Sequence, residues 1–164
     1  MLLPQSNIIA NLRPTVLDDF GLAATIRVKS RNCRQTPGRS TYQQTLGIER
    51  LLSALETALF RVAQETLRNV GKHTHSTQVR VWLGRHREII RLEVQDLGQG
   101  FEPAGVPPER GAGQHIDLAG MQERITLLGG RFALQSQPEV GIQVVAKVPL
   151  PQPIRPGLTR GRPA

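Results

Sequence analysis

Ser53-Ala-Leu-Glu-Thr-Ala-Leu-Phe-Arg-Val-Ala-Gln-Glu-Thr-Leu-Arg-Asn-Val-Gly-Lys-His73 decides the fold. Leu55, Leu59, Val62, Thr66, Leu67 and Val70 recur at spacings of three and four, the signature of an amphipathic helix. Ser53 and Glu56 fit the Ser-x-x-Glu capping box at its start. The period then changes from 3.6 to 2. Val79, Val81 and Leu83 alternate with Gln78, Arg80 and Trp82, and Ile89 to Gln95 follows more loosely. Gly84-Arg-His-Arg-Glu88 between the two strands reads as a hairpin connection.

Downstream, Asp96-Leu-Gly-Gln-Gly-Phe101 opens a Pro- and Gly-rich loop that lasts to Gln114. Asp117 is placed to cap a second helix, Leu118–Leu128, that ends at Gly129-Gly130. Arg131–Ser136 and Gln143–Val148 read as two more strands. Upstream, Asp18 or Asp19 is placed to cap a short helix through Ile26. Residues 29–40 read as a loop, and Thr41 to Ile48 as a short edge strand. Helix, two strands, loop, helix and two strands predict an α/β (α+β) two-layer sandwich. Its mixed, mainly antiparallel sheet is covered on one face by helices.

The chain has 164 residues and one cysteine, Cys33, which excludes an internal disulfide framework and a multi-cysteine zinc site. No apolar run reaches the length of a membrane span, and no secretory leader pattern opens the sequence, so a cytoplasmic setting is expected. The net charge of +8 divides as +4 over residues 1–50, +1 over 51–150 and +3 over 151–164. The folded part is thus almost neutral, and the surplus lies on the flanks. Arg160-Gly-Arg-Pro163 has the core pattern of a minor-groove AT-hook, but four residues in a Pro- and Arg-rich tail read as a solubilising end, and DNA binding is not expected.

Two constellations carry chemistry. Glu65, Asn69, Lys72 and His73 fall along one side of the long helix, beside its apolar stripe. A carboxylate, an amide oxygen and a cation in line suit a hydrated Mg²⁺ with its phosphates, although a solvated polar helix face has the same spacing. Asp96 at a strand end, followed by Gly98 and Gly100, suits a flat ligand that approaches the backbone and donates an exocyclic amino hydrogen to the carboxylate. A plain turn also fits. Pro103 stands where a dinucleotide fingerprint needs its third glycine.

Together these segments resemble sensor histidine kinases. Glu65-Thr-Leu-Arg-Asn69-Val-Gly-Lys72-His73 is similar to their N box, and Asp96-Leu-Gly98-Gln-Gly100 to their first glycine box. Leu118-Ala-Gly120-Met121-Gln-Glu-Arg124 through Gly130 and Leu12-Arg-Pro14 through Leu22 resemble the NarL/DegS/DesK-like branch. The resemblance implies a Bergerat-type ATPase fold with ATP and Mg²⁺. It implies that Asn69 coordinates the metal and that Glu65 orders a metal-bound water or assists phosphoryl transfer. Lys72 or His73 would lie near phosphate. Asp96 would accept from adenine, with Gly98 and Gly100 shaping the pocket. Residues 102–116 would form a lid, and Gly120 and Met121 would open the helix behind it.

It also implies residues 1–28 as the junction to dimerising helices, 41–150 as the ATP-binding catalytic domain and 151–164 as a disordered tail. The histidines are His73, His75, His86 and His115, and none precedes the N box. The γ-phosphate acceptor would therefore come from a dimerising phosphoacceptor domain absent here or supplied in trans, with a response regulator further on. Asp117 and Ile142 stand where the family has Gly and Thr, which leaves a degenerate nucleotide-binding or protein-interaction module as the alternative.

Overall fold

The computed structural model describes residues 13–33, 39–46, 50–73, 78–97, 115–137 and 141–151. Gly98 and Gly100, the expected lid up to residue 114, His75 and the tail from 152 lie outside them. The elements are α1 (Thr15–Arg31), β1 (Arg39–Gln44), α2 (Ser53–His73), β2 (Gln78–His86), β3 (Ile89–Asp96), α3 (His115–Leu127), β4 (Arg131–Gln137) and β5 (Gly141–Pro149). The strands form one sheet in the order β1-β2-β3-β5-β4. All pairs are antiparallel except β1 with β2, which α2 connects as a parallel crossover. This is the mixed sheet with helices that the periodicities predict.

The strands alternate as expected. Val79, Val81 and Leu83 of β2, Ile90, Leu92 and Val94 of β3, and Val144, Ala146 and Val148 of β5 are buried. Leu55, Leu59, Val62, Ala63 and Leu67 of α2 pack with them in one core, joined by Met121 and Ile125 of α3. Gly130 closes α3 by donating its N–H to the carbonyl of Ile125, 2.9 Å away.

Four local expectations are corrected. First, α1 starts three residues before Asp18, after Pro14, and no side chain caps it. It runs to Arg31, into the expected loop, and passes through a kink at Gly21 (φ 75°, ψ 174°), a conformation available to glycine alone. Arg50 sustains the kink: its guanidinium donates to the carbonyls of Leu17 (3.0 Å) and Asp18 (3.2 Å). Second, the edge strand is Arg39–Gln44. Third, Asp117 lies in the first turn of α3, because the helix begins at His115.

Fourth, no capping box forms. Leu52 supplies the carbonyl for the N–H of Glu56, so Glu56 sits one position too far along to close the box. Its carboxylate, with a side chain 1% exposed, instead accepts from Arg13 at 2.7 Å, from Arg50 at 3.1 Å and from the N–H of Leu51 at 3.0 Å. Arg13 also donates to the Ser53 carbonyl, the Thr57 hydroxyl and Asp18. Two arginines and one carboxylate thereby fasten α1 to the start of α2.

Burial pushes the Glu56 carboxyl up, and the bonds from Arg13, Arg50 and Leu51 outweigh it, holding the group below the ordinary carboxylate range. A depressed folded value means that the stabilisation is complete above the unfolded value and is lost as pH falls through the folded one. Glu56→Ala is expected to cost about 2 kcal/mol, because it removes the buried acceptor that two part-exposed arginines and the Leu51 N–H share. It should also flatten the acid limb of the stability curve. Urea unfolding across the acid range checks both, and an unchanged acid limb would refute the assignment.

Candidate functional site

The alternation of β3 carries Asp96, its last residue, to the helix-covered face along with Ile90, Leu92 and Val94. Asp96 is 0% exposed. Its register partners are Val79 on β2 and Ile142 on β5, both buried. A carboxylate enclosed among such side chains lacks the water that ordinarily solvates it. Hydrogen-bond donors reaching it from a ligand would meet an acceptor already desolvated and fixed by the strand.

On α2, which packs over β3, Glu65 and Asn69 are half-buried one turn apart. They flank the buried stripe rather than joining it, as the spacing predicts. Glu65 lies 4.0 Å from Arg68, an exposed neighbour on the same helix. Lys72 and His73 occupy the last turn of α2. Glu65, Asn69 and Asp96 therefore belong to one helix–sheet interface. On α3, Gly120 is half-buried, with open space where a side chain would begin, whereas Met121 is 3% exposed and packs in the core. Met121 thus supports the helix from within.

Three residues at this interface escape a reading by motif. Thr66 is 4% exposed, and its Oγ1 has no hydrogen-bond partner among the described residues. Ser136, 8% exposed, is the register partner of Ile142 and brings a hydroxyl to the level of Asp96, two strands away. Cys33 donates its thiol to the Leu67 carbonyl at 3.4 Å. Burial pushes that thiol up, and the charge of Asp96 pushes it further. A period-3.6 pattern marks Thr66 as core, and nothing in the spacing brings Cys33 to Asp96.

Comparisons with known proteins give the family. The sequence pattern of the family described as histidine kinase-, DNA gyrase B-, and HSP90-like ATPase matches residues 54–152. The chain is 33% identical over 142 residues to the signal transduction histidine-protein kinase/phosphatase DegS of Bacillus subtilis (strain 168), covering 84% of this chain and 36% of that protein. It is 34% identical over 145 residues to the oxygen sensor histidine kinase NreB of Staphylococcus carnosus (strain TM300), covering 88% and 41%. The chain thus spans 36 to 41% of the length of these relatives. Among solved structures, the blue-light activated histidine kinase EL346 of Erythrobacter litoralis superposes with a TM-score of 0.60 at 17% identity, covering 79% of this chain and 42% of that one. At that identity the likeness is one of fold.

The protonated state of Cys33 gives a local probe of the interface. Iodoacetamide should label the native chain at pH 8 several-fold more slowly than the urea-unfolded chain, with the gap narrowing as pH rises. Equal rates at pH 8 would show that neither burial nor Asp96 acts on the thiol.

Proposed function

The chain belongs to the histidine kinase-, DNA gyrase B-, and HSP90-like ATPase family, in the sensor-kinase branch that includes DegS, and from that premise we propose how its residues work. Residues 41–150 bind ATP as the catalytic domain of a two-component sensor histidine kinase. The reading as a degenerate module is not favoured by relatives of this kind. The observation that carries the proposal is Asp96, a fully buried carboxylate on the face beneath α2.

The donor set suits Mg·ATP. Asp96 accepts the hydrogen of the adenine amino group at its buried Oδ2, and that bond is selective, because a base without the amino group offers this oxygen no such donor. Glu65 and Asn69 offer the oxygen ligands that magnesium prefers, directly or through its waters. Magnesium, when bound, neutralises the phosphate oxygens. Lys72 or His73 adds charge beside the phosphates, and the N-terminal turn of α3 before Gly120 offers backbone amides. Gly98 and Gly100 shape the base pocket, and the loop that precedes α3, from residue 102, covers it.

Catalysis of this kind rests on positioning and charge stabilisation. Glu65 would order a water beside the metal or assist transfer of the γ-phosphoryl group to a histidine of a dimerising phosphoacceptor domain outside these 164 residues. Residues 1–28 join the two domains, and a response regulator receives the phosphoryl group in turn, in the cytoplasm. Among the described residues, no helix is long and apolar enough to cross a membrane.

The test is a titration with ATP and with inosine triphosphate, which carries a carbonyl in place of the amino group. ATP is expected to bind at least about tenfold more tightly, matching the loss of one charge-assisted bond. Asp96→Asn should erase the preference, Asn69→Ala should erase the Mg²⁺ dependence, and circular dichroism would verify that both variants fold. Absence of saturable binding at millimolar nucleotide would refute the proposal.

A further inference from the structure

The face of the sheet turned away from the helices carries rows of matched chemistry across its strands. Arg91, Lys147 and Arg131 are register partners on β3, β5 and β4. Neighbouring strands lie about 4.8 Å apart, so three cations stand side by side, an arrangement that weakens a sheet. Four residues along those strands, Gln95, Gln143 and Gln135 form a matching row of amides, with Arg80 beside Gln95 on β2. Glu93 stands between the rows, held by Arg91 and by Gln143 Nε2 at 2.6 Å. Two shallow depressions, of about 650 and 350 Å³, meet at Arg91.

Trp82 forms part of the floor. Its indole lies across Gly84, where an added Cβ would fall 2.5 Å from the ring. The guanidinium of Arg91 sits over the ring, 5.8 Å from its centre. A nucleobase stacking on that side of the ring would have to compete with the Arg91 guanidinium. Arg80, Arg131 and Lys147 are exposed. A row of cations opposed by one already matched carboxylate calls for carboxylates from outside, and a row of amides calls for peptide groups.

We propose that this face docks an extended acidic segment of a partner protein, with its carboxylates along Arg91, Lys147 and Arg131 and its backbone along Gln95, Gln143 and Gln135. The surface is independent of nucleotide, since Asp96 points to the opposite side of the sheet. The mode is electrostatic docking onto a fixed sheet face, which favours rapid and salt-sensitive association.

Trp82 is the chain's one tryptophan and lies within the surface, so it reports on occupancy. The probe is a decapeptide of alternating Glu and Ala, titrated into the full chain while Trp82 emission is followed. The expected result is a saturable change that weakens about tenfold in roughly 0.5 M salt. It should weaken as much in the Arg131→Gln/Lys147→Gln double variant, whose melting temperature stays equal or rises because a like-charge row is relieved. A Gln-Ala decapeptide should give no change. Three results would overturn the proposal: no emission change at millimolar peptide, equal response in the double variant, or tighter binding of a deca-thymidine oligonucleotide than of the acidic peptide.

Discussion

The buried carboxylate of Glu56 is the constraint around which the helix layer is arranged. A carboxylate at that depth is tolerated when strong donors surround it, and Arg13, Arg50 and the N–H of Leu51 do so. These donors bring two separate pieces of chain to it. Arg13 fixes the approach to α1, and Arg50 fills the carbonyls left open by the kink at Gly21. With that corner fastened, α2 can lay Leu59, Val62 and Leu67 on the sheet and hold Glu65 and Asn69 beside the stripe.

Asp96 is buried equally deeply, yet its surroundings differ in kind. Guanidinium groups enclose Glu56, which serves cohesion. Asp96 ends a strand between Val79 and Ile142, close enough to Cys33 to act on its thiol. The same fold therefore hosts one buried carboxylate bound by two guanidinium groups and another at a strand end between Val79 and Ile142. Ile142 makes the contrast sharper. It places an apolar side chain directly across from Asp96, and Ser136 carries a buried hydroxyl at that level, on β4.

Much of this was legible in the sequence because the signals were local and periodic. The helix 53–73 and the alternation of β2 and β3 follow from spacing alone, and so does the assignment of Asp96 to a strand end. Signals that depend on distant partners were not legible. Glu56 reads as half of a capping box, since nothing local reveals Arg13, 43 residues away. The kink at Gly21 gives no local signal either, since the carbonyls of Leu17 and Asp18 that it leaves open are met by Arg50 from another segment. The parallel pairing of β1 with β2 depends on a crossover through α2. The site divides the same way: Glu65, Asn69 and Asp96 carry motif signals, whereas Thr66, Ser136 and Cys33 reach the interface through packing.

The central claim is that the N-box turn of α2 and the end of β3 form one nucleotide site. Hydrogen–deuterium exchange with and without Mg·ATP addresses it most directly, because it reads both segments in one experiment. The account predicts that protection rises together at residues 65–70 and 95–97 and falls away in the Asp96→Asn variant. Protection confined to one segment, or unchanged in both at saturating nucleotide, would contradict it.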